Sequence, residues 1–306
     1  MRRCLQLATK GLGRTRPNPL VGCVIVSPSG DIISEGYHQQ YGMSHAERNA
    51  ILRYIQLPEA KPDILHNATL YVNLEPCSHH GNTPPCADLI VQHGIRRVVC
   101  CNDDPNPLVA GAGFAKLKAA GIEVIQHVLE PQGRYLNRRF FTFMEQHRPY
   151  IILKWAESAN GFMAPLTTKP YWITTPRQDQ LNHLWRTQEA AILIGSETYL
   201  ADNPKLTARH CYGNSPQPIV LDRRQRITSL PSNWIHLTCD NLNQVMQHLY
   251  EARLQSVIVE GGKKILEAFI SQGLYDEVRI LIGPDSFDTG IPAPTKPTNA
   301  IIYHAC

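Results

Sequence analysis

The side chains best suited to chemistry in this 306-residue chain are His45, Cys77 and Cys86, with Glu47 two residues after the histidine. One neutral imidazole and two thiolates make a natural zinc set. Three protein ligands leave a fourth position open, as catalytic zinc sites do and structural ones usually do not. Water bound in that position loses a proton near neutral pH. Glu47 would lie close to the ion without ligating it, free to carry protons. Eight residues separate the two cysteines, in the run Glu75-Pro76-Cys77-Ser78-His79-His80-Gly81-Asn82-Thr83-Pro84-Pro85-Cys86.

Local elements must bring these residues together. Ala46, Ala50, Ile51, Tyr54 and Ile55 repeat with helical period, so a helix should start at His45. Ala68 to Leu74 reads as a buried strand that ends just before Cys77. Pro84-Pro85 should open a second helix, with Leu89, Ile90 and His93 on the side of Cys86. Two helix N-termini would then meet at one point, and their positive ends favour thiolate over thiol. Ser78 to Pro85 would loop over the pocket mouth.

The remaining first half alternates. A helix is expected over Cys4 to Lys10 and an extended run at Arg16-Pro17-Asn18-Pro19. Strands Val21 to Ser27 and Ile32 to Gly36 flank a turn at Pro28-Ser29-Gly30-Asp31. Strand Arg97 to Cys101, helix Ala112 to Ala120 and strand Ile122 to His127 follow. Such alternation implies an α/β sheet covered on both faces, with ligands where helix N-termini meet strand ends. His38, His66 and His93 read as structural.

The polar stretch Glu145-Gln146-His147-Arg148-Pro149 marks a boundary, giving domains 1–145 and 146–306. Beyond it, strands are expected at Tyr150 to Ala156, Tyr171 to Thr174, Ala190 to Ile194, Ile219 to Asp222 and Val257 to Glu260. Helices are expected at Gln178 to Arg186, Leu242 to Arg253 and Ile265 to Ile270. Gly261-Gly262 lies between a strand and a helix, where a phosphate can approach the backbone. Alone the pair is weak, since the full Gly-x-Gly-x-x-Gly fingerprint is lacking. Lys154, inside an apolar strand, needs a partner or a pocket. Trp172 suits either a core or a ligand face.

Composition narrows the classes. Hydrophobic content is 43%, and Lys plus Arg exceed Asp plus Glu by 30 − 26 = 4, too little to argue for nucleic acid. Nine scattered cysteines form no regular framework, so a reducing cytoplasm is expected. No run approaches the roughly 20 apolar residues of a membrane span. The basic start at Met1-Arg2-Arg3 is broken by Gln6 and Lys10, unlike a signal peptide.

His45-x-Glu47 with the Pro76-Cys77 run resembles the signature of zinc deaminases acting on nucleobases, with a longer gap between thiols. Together with Pro17-Asn18-Pro19-Leu20-Val21-Gly22, Asp104-Pro105-Asn106-Pro107 and Gly111-Ala112-Gly113, it resembles the deaminase half of the bifunctional riboflavin-biosynthesis deaminase/reductase family. The second half resembles the reductase domain of that family. There the likeness rests on Lys154, Trp172-Ile173-Thr174, Arg186, Gly195-Ser196-Glu197-Thr198, Ala201 to Thr207, Arg209 and Val259-Glu260-Gly261-Gly262.

The resemblance implies a cytidine-deaminase-like three-layer αβα domain followed by a dihydrofolate-reductase-like α/β domain, using Zn2+ and NADPH. It implies hydrolytic deamination of a diaminopyrimidinone carrying a ribosylamino 5′-phosphate, then reduction of the ribosyl chain to ribityl. Glu47 would be catalytic, with His45, Cys77 and Cys86 on the metal. Asn18, His79, His80, Asn82 and Thr83 fall on the deaminase substrate side. Lys154, Arg186, Leu206, Arg209 and Glu260 fall on the reductase substrate side. Ala156, Trp172, Thr198, Asp202, Gly261 and Gly262 fall on the cofactor side. A homo-oligomer, dimer or tetramer, and no nucleic-acid or membrane partner are also implied. Asn160 departs from the family's Ser-x-Asp-Gly, and the chain runs only to Cys306, so a final edge strand is expected to be minimal or missing. A second reading therefore keeps the deaminase and makes the other half a module for assembly. A third is a zinc-stabilised nucleotide-binding module without catalysis.

Overall fold

The computed structural model describes residues 1–79, 84–107, 109–166 and 171–305. The chain divides into two compact units, Met1–Gln146 and His147–Cys306.

In the first unit helix α1 (Arg2–Thr9) precedes strands β1 (Gly22–Val26) and β2 (Ile32–Tyr37). Then come α2 (Ala46–Ile55), α3 (Pro62–His66), β3 (Thr69–Leu74), α4 (Cys86–Gln92) and β4 (Arg97–Asn102). The unit ends with α5 (Ala112–Ala119), β5 (Glu123–Ile125), α6 (Glu130–Leu136) and α7 (Arg138–Gln146). The sheet order is β2-β1-β3-β4-β5. β1 runs antiparallel to β2 and β3, while β3, β4 and β5 are parallel. One face packs Ala50, Ile51 and Tyr54 of α2 and Ile90 of α4 onto Ile25, Leu70, Val72 and Val98. The other face sets Cys4 and Leu7 of α1 against Val24. Each fully buried Ile or Leu contributes about 1.5–3 kcal/mol. Gly36 is the close approach in this layer, since a Cβ there would collide with the Ala46 carbonyl and Ala50 amide of α2.

In the second unit the elements are β6 (Tyr150–Glu157), β7 (Phe162–Pro165), α8 (Pro176–Gln188), β8 (Ala191–Gly195), α9 (Ser196–Asp202), β9 (Gln217–Leu221) and β10 (Ile235–Leu237). α10 (Leu242–Glu251), β11 (Ser256–Glu260), α11 (Lys263–Ser271), β12 (Glu277–Ile282), β13 (Gly290–Pro292) and β14 (Ile301–His304) complete it. Seven strands form one parallel sheet in the order β10-β9-β8-β11-β6-β12-β14, and β7 pairs antiparallel with β13. Parallel strands covered on both faces read as unbroken apolar runs, as Ile151-Ile152-Leu153 and Val257-Ile258-Val259 do. Thr175 and Gln178 form a capping box at the start of α8.

Two expectations change. Tyr171 to Thr174 is extended chain outside any strand. The final edge strand is present as β14, in register with β12 from Arg279↔Ile301 to Ile282↔His304. Before and into the polar stretch Glu145 to Pro149 run α6 and α7, which no sequence pattern marked; the buried face of α7 is carried by Phe140, Phe141 and Phe143, spaced too irregularly to read as a helical stripe.

One carboxylate ties the first unit's layers together. Glu75 is 3% exposed and follows β3 directly. Its Oε1 accepts from the amides of Gly113 (2.9 Å) and Phe114 (3.3 Å), and its Oε2 from those of Gly111 (3.0 Å) and Asp104 (3.3 Å). Three of these donors open α5, so the charge also meets the positive end of a helix. Gly113 must lack a Cβ, which would strike the Pro76 carbonyl. Replacing Glu75 by alanine strands several buried N–H groups and should cost about 3 kcal/mol or more in denaturant unfolding. Glu75→Gln should lose less, because an amide oxygen still accepts. An alanine variant as stable as the parent would contradict this account.

Candidate active sites

The first site is assembled from the N-terminus of α2, the chain after β3, and the N-terminus of α4. His45 is the N-cap of α2 in extended conformation, and its imidazole, not its backbone, faces the sulfurs. Cys86 is the first residue of α4, following Pro85 as N-cap. Cys77 is placed by the Glu75 clamp two residues before it. His45 Nδ1 lies 3.5 Å from Cys77 Sγ and 3.4 Å from Cys86 Sγ. All three ligand atoms lie within 4.8 Å of one another. A tetrahedral ion with bonds of about 2.0–2.3 Å keeps neighbouring ligand atoms about 3.5–3.8 Å apart, so the residues present fit zinc. The Cys86 amide donates to Cys77 Sγ at 3.3 Å. Sharing a hydrogen bond with Cys86, Cys77 is held well below the usual thiol range, while Cys86 is pushed up.

Glu47 sits in the first turn of α2 and is 3% exposed. Its Oε2 is buried with no hydrogen-bond partner among the described residues. Burial pushes its carboxyl up to about 7, against the opposing pull of His45. A carboxyl held near neutrality, with one oxygen unspent, can both take and give a proton.

His38, read from sequence as structural, belongs to this site. Its ring stands edge-on to His45, with centroids 5.5 Å apart. Nδ1 is 3.1 Å from the Ser44 carbonyl and Nε2 is 3.1 Å from Asn18 Nδ2. A carbonyl can only accept, so Nδ1 carries the proton and Nε2 accepts from Asn18. Burial lowers the pKa of His38, which keeps the ring neutral. The Asn18 amide is thereby oriented. Asn73 and Asn137 hold the following turn: both donate to the Leu20 carbonyl, and they accept from the Gly22 and Leu20 amides. Glu75 stood in the motif run without a role and His38 read as structural, because their partners are backbone groups and one amide distant in the chain. His79 is exposed, and His80, Asn82 and Thr83 lie outside the described residues.

The second site gathers at the C-terminal ends of β6, β8 and β11, where parallel sheets place ligands. Lys154 and Glu260 face each other across paired strands, Nζ to Oε2 at 3.7 Å. Arg186 of α8 grips Glu260 with Nε at 3.2 Å and Nη2 at 2.7 Å, and donates to the Thr207 carbonyl at 3.1 Å. Burial opposes charge on Glu260, yet Arg186 and Lys154 together bring its carboxyl down to about 2. Burial likewise lowers the Lys154 pKa, against the pull of Glu260. Leu206 is buried among Ile192, Ile194 and Val220, with a left-handed backbone, φ 52°. Arg209 is exposed.

Among the residues expected on the cofactor side, Thr198 Oγ1 accepts from the Gly262 amide at 2.9 Å, joining α9 to the turn that opens α11. Gly261 lies against Ile265 and the Gly195 amide. Ala156 is half-buried near the end of β6, and Asp202 is exposed at the end of α9. Trp172 is 81% exposed, which excludes the core-packing reading of its ring. Asn160 accepts from Ser158 Oγ (2.8 Å) and the Phe287 amide (3.1 Å), and donates to the Phe287 carbonyl (2.7 Å). An aspartate could not make that last bond, so the amide at 160 has its own structural use.

The chain resembles known proteins along nearly its whole length. Residues 1–102 match the cytidine and deoxycytidylate deaminase zinc-binding region, and residues 149–287 match the RibD C-terminal domain. The riboflavin biosynthesis protein RibD of Actinobacillus pleuropneumoniae is 38% identical, over 93% of this chain and 82% of that protein. The Escherichia coli RibD is 36% identical, over 93% of this chain and 86% of its own. Among solved structures, the Thermotoga maritima diaminohydroxyphosphoribosylaminopyrimidine deaminase/5-amino-6-(5-phosphoribosylamino)uracil reductase superposes with a TM-score of 0.86 at 35% identity, covering 97% of this chain and 90% of that one. Acinetobacter baumannii RibD gives 0.87 at 33% identity, covering 97% and 89%. With a zinc-type His/Cys/Cys set in one unit and a RibD C-terminal domain in the other, the chain belongs to the RibD family of riboflavin biosynthesis proteins.

Proposed function

We propose that residues 1–145 deaminate 2,5-diamino-6-(5-phosphoribosylamino)pyrimidin-4-one and residues 146–306 then reduce its ribosyl chain to ribityl with NADPH. The observation that carries the first half is the buried, unpartnered Oε2 of Glu47 beside three converging ligand atoms. His45, Cys77 and Cys86 would hold zinc, which when bound lowers the pKa of a water in its open position to about 7. Glu47 would take that water's proton, pass it to the ring nitrogen, and return a proton to the departing amine, so that water is consumed and ammonia leaves. Asn18, oriented by His38, has its Oδ1 left for a base or sugar edge.

For the second half, NADPH supplies the hydride, and the protein supplies alignment and charge. Lys154, Glu260 and Arg186 would hold the sugar end, and Arg209 the phosphate, a role suited to an exposed planar fork. The exposed face of Trp172 and the Thr198–Gly262 turn would receive the cofactor. The assembled charge cluster and the loop-holding bonds of Asn160 favour an active reductase over the reading as a module for assembly. The free thiols of the eight described cysteines support a reducing cytoplasm. Among the described residues no helix is long and apolar enough to cross a membrane. A homo-oligomer, dimer or tetramer, follows from the family resemblance alone, and sedimentation of the purified protein tests it.

A coupled assay that follows ammonia release and NADPH oxidation separately tests both halves. Ammonia without NADPH turnover at any cofactor level would return the second unit to a module for assembly. Glu47→Gln should keep stoichiometric zinc and lower deamination by about 10²–10⁴-fold. Undiminished ammonia release would mean the carboxylate moves no proton. Arg209→Ala should raise KM for the ribotide in the reductase step and leave deamination unchanged; an unaltered KM removes Arg209 from the site. Acid stability provides a further check. Because the folded Glu260 titrates near 2 instead of 4.5, its contribution is complete above about pH 4.5 and disappears as pH falls toward 2. Glu260→Gln should flatten that part of the stability curve for the second unit, and an unchanged slope would place the dependence elsewhere.

A further inference from the structure

One cluster in the second unit takes no part in either reaction described above. Asp179 stands in the first turn of α8 and His183 one turn later, at the i,i+4 spacing that shares a helix face. His210 reaches the same place from the chain between α9 and β9. One ligand atom from each of the three lies within 4.8 Å of the others. Asp179 faces both rings: Oδ2 is 2.6 Å from His210 Nδ1, and Oδ1 is 3.7 Å from His183 Nε2. The two imidazoles lie 4.3 Å apart, centroid to centroid.

His183 is the anomaly. It is 1% exposed, and its Nδ1 has no hydrogen-bond partner among the described residues. Its Nε2 comes no nearer to Asp179 than 3.7 Å, too far for a hydrogen bond. Buried imidazoles normally find partners, and one left without costs stability. Burial, aided by Arg186, also pushes its pKa down to about 4, so the ring is neutral and one of its two nitrogens keeps a lone pair. A simple ion pair of Asp179 with His210 accounts for those two residues but leaves His183 Nε2 facing the carboxylate with no bond to it.

We propose that Asp179, His183 and His210 form a second metal site for a divalent cation of borderline softness, of the zinc or cobalt(II) class. Two imidazoles and a carboxylate are the ligands such ions take from proteins without thiolate. His183 would ligate through Nε2, which already faces Asp179, with the ring proton on Nδ1. Asp179 and His210, both partly in solvent, need to part from 2.6 Å to about 3.3 Å to admit the ion. The guanidiniums of Arg186 and Arg209 oppose a cation here, Arg186 the less because Glu260 grips it. This site should therefore bind more weakly than the one with two sulfurs.

Cobalt(II) titration of the full-length protein, first loaded with one equivalent of zinc, tests the assignment. A second equivalent should bind with visible d–d absorption and without the near-ultraviolet sulfur-to-cobalt charge-transfer bands that ligation by Cys77 and Cys86 would give. His210→Ala, at an exposed position, should weaken that second equivalent at least about tenfold. Asp179→Asn should do the same, while the zinc content of both variants stays at one. Three results would overturn the proposal: no cobalt uptake by the zinc-loaded protein, charge-transfer bands at saturation, or a His210→Ala titration that overlays the parent's.

Discussion

Three ligand atoms from distant parts of the chain must meet at a separation of about 3.5 Å, and the first unit is built to hold them there. Each comes from an element whose end is fixed independently. His45 caps α2, which Gly36 lets lie hard against β2. Cys86 opens α4, whose Ile90 is in the core. Cys77 has no helix of its own, and Glu75 supplies the missing rigidity by binding four backbone amides, three of them at the mouth of α5. A ligand on a loose loop would spend binding energy on ordering that loop. Here the ordering is complete once the sheet and helices have packed.

The second unit solves a different problem by the same means. Its sheet is wholly parallel and buried on both faces, so a charge in it is costly unless paired. Lys154 and Glu260 are such charges, and Glu260 pairs with both Lys154 and Arg186 of α8. The Glu260 carboxylate stays ionised because two cations outweigh the penalty of burial. A polar cluster of this kind, within a rigid apolar frame, is weak evidence of stability and fixes the positions of its members instead.

Much of this was legible in the residues. The period of Ala46, Ala50, Ile51 and Tyr54 and the proline pair before Cys86 placed both helix starts to within a residue. The apolar runs of β3, β6, β8 and β11 were visible because strands buried on both faces have no polar alternation to obscure them. The helices α6 and α7 were missed because Pro131, Gly133 and a polar surface hide the buried phenylalanines. β14 was missed because an edge strand with Ile301 and Ile302 partly exposed has no strong signature of its own.

By itself, then, the order of residues marked the His/Cys/Cys ligand types and the alternation that brings strand ends to helix starts, since these depend on chemistry and local period. Tertiary structure alone decided that Glu75 clamps α5, that His38 fixes the Asn18 amide, that Asn160 ties a loop to Phe287, and that Asp179, His183 and His210 converge. Those contacts join positions far apart in the chain, mostly through backbone groups every residue carries. Nothing in a linear pattern distinguishes one such partner from another until the layers have packed.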